Sequence, residues 1–253
     1  MKRECNAVRS ALSNLIRCLL SYGQLELAAL CRLLFGALLA STAVSQAKAC
    51  SLALVIAVDV SASISETEYD LQQQGIANAL RHREVVDVID AVGGIWLHSF
   101  EWSGRYQQNT LLGWRFLSDE RSIYAAAREI SEHTRDHREF MTALGHALAH
   151  ASDVLASAPE ICKRRVIDVA ADGTNNEGYD PHIAYVSKNF TDVTVNALVI
   201  RKEDRTFSYF EDKVIRGPGA FVQAMNSYED YTEAMIRKLV REILGYGHAA
   251  LQQ

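Results

Sequence analysis

The sequence predicts an α/β fold: a doubly wound, mostly parallel sheet of about six strands, with one antiparallel edge strand and helices on both faces. Residues 52–60 are almost entirely apolar and show no polar alternation, which is typical of a strand covered on both sides. Strand and helix patterns alternate after residue 50, as in successive βα units. The chain has 253 residues, 49% of them hydrophobic, and can bury one sizeable core.

The strands are predicted from runs of β-branched and apolar residues that are bounded by turn residues. The turn Ser103-Gly104 separates the second run from the third and predicts a hairpin, which places one antiparallel strand at the sheet edge. The turn Gly217-Pro218-Gly219 comes before a short last strand. In chain order, the predicted strands are residues 52–60, 95–102, 106–116, 165–171, 193–200 and 220–225.

The helices are predicted from apolar residues at helical spacing and from their end signals. Ser65 is a candidate N-cap, because acidic residues occupy the turn that follows it. Pro159 closes the region after the third helix. In chain order, the predicted helices are residues 66–81, 122–131, 142–155, 181–188 and 228–244.

The charge distribution argues against nucleic acid as a partner. The formal net charge is −5 and the isoelectric point is near 5.9. Lysine and arginine are scattered along the chain and form no basic stretch that could follow a phosphate backbone. We therefore expect no nucleic-acid partner.

Residues 1–49 are predicted to be a secretory signal region, residues 50–247 the folded domain, and residues 248–253 a C-terminal tail. Basic residues precede an uncharged stretch, and Ala47-Lys48-Ala49 offers the small residues that a signal peptidase selects. The apolar stretch is too short to span a bilayer stably, so we expect no membrane span after cleavage and a periplasmic or secreted protein. A retained anchor or amphipathic helix is the alternative, because the charged region is long and contains Glu4 and Glu26.

Two cysteines remain in the predicted domain. Cys50 lies nine residues before Asp59, and Cys162 lies ten residues before Asp172, so each cysteine leads into a strand that ends at an acidic residue. If these strands are parallel neighbours, the two sulfur atoms start side by side. This spacing predicts a Cys50–Cys162 disulfide in an oxidising compartment, with two free thiols as the alternative.

Oxygen-bearing side chains follow three predicted segments that reach the same edge of the sheet. Function in open α/β sheets lies at the carboxyl ends of the strands. Carboxylate and hydroxyl oxygens suit a hard divalent cation, so we expect Mg²⁺ before Mn²⁺ or Ca²⁺. Only two of the donors are carboxylates, which leaves the ion positive and open to an Asp or Glu of a protein partner. The candidate ligands are Asp59, Ser61, Ser63, Thr142 and Asp172.

This pattern resembles the metal-ion-dependent adhesion site (MIDAS) of von Willebrand factor type A (vWA) domains. Over residues 51–246 the chain also resembles an exported bacterial branch, the domain of unknown function 1194 family. The resemblance implies a vWA-like fold in which the two serines and the threonine bind the ion directly, and the two aspartates bind it directly or through water. The blocks that carry the resemblance are Ala57-Val58-Asp59-Val60-Ser61, Glu101-Trp102-Ser103-Gly104, Arg165-Val166-Ile167-Asp168-Val169, Asp172-Gly173-x-Asn175-Asn176, Gly217-Pro218-Gly219-Ala220-Phe221 and Lys238-Leu239-Val240-Arg241-Glu242-Ile243.

One segment departs from the family pattern. Where vWA domains usually carry a Gly-Gly-Thr loop, this chain has Glu139-Phe140-Met141-Thr142. The extra carboxylate leads to the hypothesis that Glu139 fills the open coordination position until a partner displaces it. Beyond Asp172, the side chains of Asn175 and Asn176 are expected to hold their loop by bonding to backbone, with ligand contact as the alternative.

Two functional classes fit this sequence. The first is a binding module that uses its bound cation to recognise an acidic side chain of a protein partner. The second is a metal-dependent hydrolase or phosphotransferase with Asp59 as nucleophile. Ser61 occupies the position where such enzymes place a second acid, and the chain has no nucleophile-elbow motif, so we expect a protein that is not an enzyme. In a third hypothesis, the ion only stiffens the loops of a component of an envelope assembly.

Overall fold

The computed structural model describes residues 50–200 and 204–245. The predicted signal region, residues 1–49, and the predicted tail, residues 248–253, lie outside these described residues. None of the described helices is both long and apolar enough to cross a membrane.

The described chain forms one six-stranded sheet in the order β3-β2-β1-β4-β5-β6. Strands β2 and β3 pair antiparallel, and all other neighbouring strands pair parallel. The predicted parallel sheet with one antiparallel edge strand is therefore confirmed. The strands are β1 Leu52–Asp59, β2 Ile95–Trp102, β3 Gln108–Leu117, β4 Arg164–Ala171, β5 Val193–Ile200 and β6 Val222–Met225.

Seven α-helices surround this sheet in the described residues. The predicted cap of α1 is present, because the Ser65 side chain accepts a hydrogen bond from the Glu68 N–H and the Glu68 carboxylate accepts one from the Ser65 N–H. Two of the helices, α2 and α6, were not predicted. The helices are α1 Glu66–Arg81, α2 Arg83–Ala91, α3 Glu120–Ser131, α4 Leu144–Ala156, α5 Pro181–Ser187, α6 Asp204–Lys213 and α7 Tyr231–Leu244.

Alternate residues of β1 enter two separate cores. Leu54 and Ile56 pack with residues of α1, α2, α3 and α7 on one face. Val55 and Ala57 pack with residues of α4, α5 and α6 on the other face. Every residue of β1 is buried, which explains why its sequence shows no polar alternation.

The predicted disulfide between Cys50 and Cys162 is formed. These cysteines precede β1 and β4, which are parallel neighbours with Leu52 opposite Arg164. The bond therefore ties the two central strands together at their amino ends.

A buried charge cluster holds α7 against the sheet. The Lys238 ammonium lies 2.8 Å from Asp168 Oδ1 on β4 and also contacts the Glu242 carboxylate one turn along its own helix. Asn196 on β5 donates to Glu242 Oε1 over 2.7 Å. Burial raises the pKa of Asp168, and the neighbouring Lys238 charge opposes this shift.

Candidate metal centre

The predicted site residues lie at the carboxyl ends of β1 and β4 and at the start of α4. Asp59 is the last residue of β1, Asp172 directly follows β4, and Thr142 lies two residues before α4. Strands β1 and β4 are parallel neighbours, so the loops that follow them emerge side by side. The sheet topology therefore brings distant parts of the chain to one edge.

Asp59 is fully buried, and its two carboxylate oxygens differ in their contacts. Oδ1 accepts a hydrogen bond from the Ser61 N–H over 2.8 Å. Oδ2 is buried and has no hydrogen-bond partner within residues 50–200 and 204–245. A buried carboxylate oxygen without a partner is energetically costly, so this atom needs a proton or a cation.

Hydroxyl groups connect the remaining predicted residues. Thr142 Oγ1 donates to Ser61 Oγ over 3.2 Å, and the hydroxyls of Ser61 and Ser63 lie 3.4 Å apart. Ser63 Oγ donates to Asp172 Oδ1 over 3.1 Å. The structure thus places the five side chains in one connected cluster of oxygen atoms.

Backbone contacts explain how Thr142 reaches this cluster. Its N–H donates to Asn176 Oδ1 over 2.8 Å, and its carbonyl accepts from the N–H of Asn176 over 3.0 Å. Asn175 Oδ1 accepts from the Gly145 N–H over 3.2 Å in the first turn of α4. Both asparagines therefore bond to backbone, as predicted, and join the loop after β4 to the start of α4.

Arg135 was not identified from sequence, although it anchors the loop after β1. Its guanidinium is buried and donates to the carbonyls of Val60, Ser61 and Ile64 over 2.8, 3.1 and 2.8 Å. Residues 132–139 are polar throughout, so no hydrophobic pattern distinguishes one buried cation from its solvated neighbours. Only the fold brings this arginine beneath the site.

The electrostatics of the cluster favour a bound positive charge. Burial and then the nearby Asp172 carboxylate raise the pKa of Asp59 to about 7, while bonds from Ser61 and the charge of Arg135 oppose the shift. Two carboxylates in this environment therefore repel each other when both are ionised. A divalent cation between them would relieve this repulsion.

The departure at residues 139–142 is accommodated without bringing a carboxylate to the centre. Glu139 is exposed, and its Oε2 accepts from the Arg138 N–H over 3.0 Å. The Phe140 carbonyl accepts from the Ala62 N–H over 2.8 Å. The Phe140 side chain also contacts Gly104, where a Cβ atom would lie 3.1 Å from the Phe140 Cβ. The bulkier segment thus supports the loop after β1.

Exposed side chains lie near the segments that carry the cluster. Met141 directly precedes Thr142 and is 50% exposed, and Tyr106 in the loop between β2 and β3 is 85% exposed. His146 stacks on Tyr179 with ring centroids 3.9 Å apart, and its ring lies 6.4 Å from that of Tyr106. These rings bring the loop between β2 and β3 close to α4 and to the segment before α5.

The residues present fit a hard cation. The cluster offers two carboxylates and three hydroxyls, one of its carboxylate oxygens is buried without a partner, and it contains no nitrogen or sulfur donor. No group of three His, Cys, Asp or Glu side chains in the described parts of the chain could hold a metal. The oxygen cluster is not a group of that kind, because hydroxyls make up most of its donors.

Solved structures of vWA domains share this fold. Proximal thread matrix protein 1 from the mussel byssus has a TM-score of 0.57 at 16% identity, over 78% of this chain and 48% of that protein. A von Willebrand factor type A protein from Catenulispora acidiphila has a TM-score of 0.56 at 16% identity, over 77% of this chain and 43% of that protein. The pilus adhesin SpaC from Lactobacillus rhamnosus GG has a TM-score of 0.55 at 14% identity, over 77% of this chain and 30% of that protein.

One structure of the mussel protein has a zinc-occupied MIDAS motif and a TM-score of 0.54 at 14% identity, over 77% of this chain and 48% of that protein. The present chain spans less than half the length of each of these proteins. At these identities the likeness shows the fold alone. Among curated proteins, none matches the chain in sequence.

A family model covers almost the whole described domain. It matches residues 49–247, and its description is "Protein of unknown function (DUF1194)". The match includes all five residues of the oxygen cluster and both cysteines of the disulfide. The chain therefore belongs to the DUF1194 family, and its domain has the vWA fold.

Proposed function

We propose that this protein is an exported binding module that holds a divalent cation and recognises an acidic side chain of a protein partner. Asp59, Ser61, Ser63, Thr142 and Asp172 would hold the ion. The observation that carries the proposal is the buried, unpartnered Oδ2 of Asp59, whose other carboxylate oxygen bonds to Ser61 of the hydroxyl cluster that reaches a second carboxylate. The ion would supply a positively charged position that is open to a carboxylate from outside the chain.

The donor chemistry supports Mg²⁺ as the first candidate ion, with Mn²⁺ and Ca²⁺ as alternatives. Hydroxyl and carboxylate oxygens are hard ligands, and Mg²⁺ is usually bound by a few carboxylates and completes its shell with other oxygens. Zinc fits this set less well, because the set lacks nitrogen and sulfur donors. The zinc-occupied MIDAS motif of the mussel protein makes Zn²⁺ a necessary competitor in any titration.

Several observations support export and binding over catalysis. A disulfide forms between the only cysteines of the predicted domain, which suits a periplasmic or secreted protein. The structural relatives include a pilus adhesin and a byssus matrix protein. Ser61 follows Asp59 at the position where a phosphotransferase would need an acid, and its hydroxyl lies within the oxygen cluster. We therefore propose that the domain binds its partner without chemical turnover.

Calorimetric titration of the purified protein tests the metal site directly. Mg²⁺ should bind with a stoichiometry near one per chain, and Asp59→Ala should weaken binding by more than about 100-fold, because it removes a buried ligand. Asp70→Ala is the matched control, since Asp70 is an exposed carboxylate on α1. Parallel titrations with Mn²⁺, Ca²⁺ and Zn²⁺ rank the ions. Equal Mg²⁺ affinity for Asp59→Ala and wild type would refute the site.

A capture experiment tests the partner. Immobilised wild-type protein should retain a partner from envelope extract in Mg²⁺ and release it in EDTA, and immobilised Asp59→Ala should retain none. Amidation of the carboxylates in the extract should abolish capture, because the partner's acidic side chain would be lost. Capture that survives both EDTA and amidation would contradict recognition through the ion. Hydrolysis of a phosphoester that Asp59→Asn abolishes would instead favour the enzyme hypothesis.

A further inference from the structure

A second candidate site lies at the opposite end of the central strands. A cavity of about 650 Å³ opens between the segment before β4, the start of β5, the turn before β6 and the end of α7. Its wall includes Arg164 and Arg165, at the amino end of the eight-residue strand β4, whereas Asp172 follows the carboxyl end. A strand of this length spans roughly 25 Å, so the cavity is separate from the metal centre.

The cavity carries an excess of positive charge. Lys163, Arg164 and Arg241 line it with Asp192, which leaves a surplus of two positive charges in a chain whose net charge is −5. The other acidic lining residue, Glu242, is engaged by Lys238 and Asn196. Lys163 makes no side-chain ion pair or hydrogen bond to any residue that the structure describes. Arg165 follows Arg164 on β4, so its side chain projects to the other face of the sheet.

The remaining cations of the cavity are held in place. The Arg164 guanidinium donates to the carbonyls of Glu242 and Ile243 at the end of α7. Gly245 permits this approach, since a Cβ atom there would lie 2.7 Å from Arg164 Nη1. The Arg241 guanidinium lies 3.7 Å from the centroid of the Phe221 ring. A site with fixed cations loses little entropy when an anion binds.

The backbone beneath these side chains is also fixed. Cys162, directly before Lys163, is joined to Cys50, and the Lys163 N–H donates to the Cys50 carbonyl over 2.9 Å. Apolar surface completes the wall: Val166 lies buried in it, and Ile161 is 97% exposed. The cavity thus combines an apolar surface with cations that have spare hydrogen-bond donors.

We propose that this cavity binds a phosphate monoester, with its phosphate at Lys163 and Arg241 and its apolar body against Ile161 and Val166. A phosphate monoester carries a charge of about −1.5 to −2 at neutral pH, which matches the surplus of the cavity. The planar guanidinium group of arginine can donate two parallel hydrogen bonds to phosphate oxygens. The volume falls within the range of about 300–1,000 Å³ that small-molecule sites occupy. The phosphate group belongs either to a soluble ester or to a lipid headgroup.

Titration with hexyl phosphate in EDTA tests the proposal independently of the metal centre. Wild type should bind one molecule, and Lys163→Gln and Arg241→Gln should each weaken binding by about tenfold or more. Arg121→Gln is the matched control, because Arg121 is exposed on α3, away from the cavity. Asp192→Asn should strengthen binding because it removes the opposing charge, and asparagine tolerates the positive φ of 56° at this position.

Further probes define the ligand and its source. Inorganic phosphate should bind more weakly than hexyl phosphate, since it lacks the apolar body. A flotation experiment uses phosphatidylcholine vesicles that contain phosphatidic acid. If the protein binds hexyl phosphate and also floats with these vesicles, the phosphate belongs to a lipid headgroup. If it binds hexyl phosphate but does not float, the phosphate belongs to a soluble ester. The proposal is overturned if wild type binds no hexyl phosphate, or if the double variant Lys163→Gln/Arg241→Gln binds it as tightly as wild type.

Discussion

Asp59 illustrates how a buried residue can make a fold depend on its ligand. One of its carboxylate oxygens is satisfied by the Ser61 N–H, and the other is buried without a protein partner in the described residues. Because burial and the nearby Asp172 raise its pKa to about 7, a bound cation would compete with a proton for this carboxylate. The charge state of this single side chain therefore affects stability, and it would affect binding of the proposed ion.

The metal-free protein should lose stability as the pH rises from about 4 to about 8. The pKa of Asp59 is about 7 in the folded state against an ordinary 3.8, so between these values the folded state keeps a proton that the unfolded state has released. The free energy of unfolding then falls as the pH rises. Thermal melting in EDTA should show this fall, and Asp59→Asn should show a flatter dependence.

The informative quantity is the difference in pH slope between wild type and Asp59→Asn, because the raised pKa of Asp168 contributes the same slope to both proteins. Mg²⁺ should raise the melting temperature of wild type at pH 8 and leave that of Asp59→Asn unchanged. Identical pH slopes for wild type and Asp59→Asn would contradict the role assigned to this carboxylate.

At this scale the sequence points to the oxygen-bearing side chains of the cluster but not to the residues that support them. Asp59, Ser61 and Ser63 could be identified from the sequence, because they lie at the end of a recognisable buried strand and directly after it. Arg135 could not be identified, because its hydrogen bonds go to carbonyls that the fold, rather than the local sequence, brings near. The buried Asp168 pairs with Lys238 on α7, 70 positions along the chain, and no local pattern indicates this partner.

At the scale of elements, a missing boundary signal and a polar composition explain the two helices that were not predicted. Helix α2 begins directly after His82, which is also the C-cap of α1, so no Gly or Pro marks the boundary. Helix α6 is mostly polar and buries only Thr206 and Phe210 among its residues. Helix α4 begins at Leu144 rather than at the predicted Thr142, because the N–H and carbonyl of Thr142 bond to Asn176.

The contact between α4 and the loop after β4 gives a prediction for Gly145. A Cβ atom at Gly145 would lie 2.1 Å from the Tyr179 carbonyl oxygen, so Gly145→Ala must displace the segment that follows Asp172. We expect Mg²⁺ affinity to fall by about tenfold although no ligand is changed, as happens when the supports of a metal site are altered. Isothermal titration measures this effect.

Gly113→Ala is the control for this substitution, because a Cβ atom at Gly113 on β3 would meet nothing within 4 Å. Its Mg²⁺ affinity should equal that of wild type. Equal affinities for Gly145→Ala and Gly113→Ala would show that the packing of α4 against this loop does not position the site.

On the scale of the whole molecule, the sheet separates two charged sites. The oxygen cluster lies where β1 and β4 end, and the cationic cavity lies where β4 and β5 begin. The sheet class could be predicted from apolar runs and a hairpin turn, because these are local features. The cavity could not, because its cations come from the start of β4 and the end of α7, which meet only after folding.

The disulfide should stabilise the whole domain, since it joins residues separated by 112 positions. A cross-link that closes so long a loop restricts the unfolded chain, and its loss typically costs about 2 to 5 kcal/mol. Cys50→Ala/Cys162→Ala should therefore unfold at lower denaturant concentration than oxidised wild type. Reduced wild type should resemble the double variant, and reductant should leave the double variant unchanged.

Because the bond lies at the amino ends of β1 and β4, its loss should weaken hexyl phosphate binding more than Mg²⁺ binding. A double variant as stable as oxidised wild type would show that the packing of β1 against β4 alone holds this end of the sheet together.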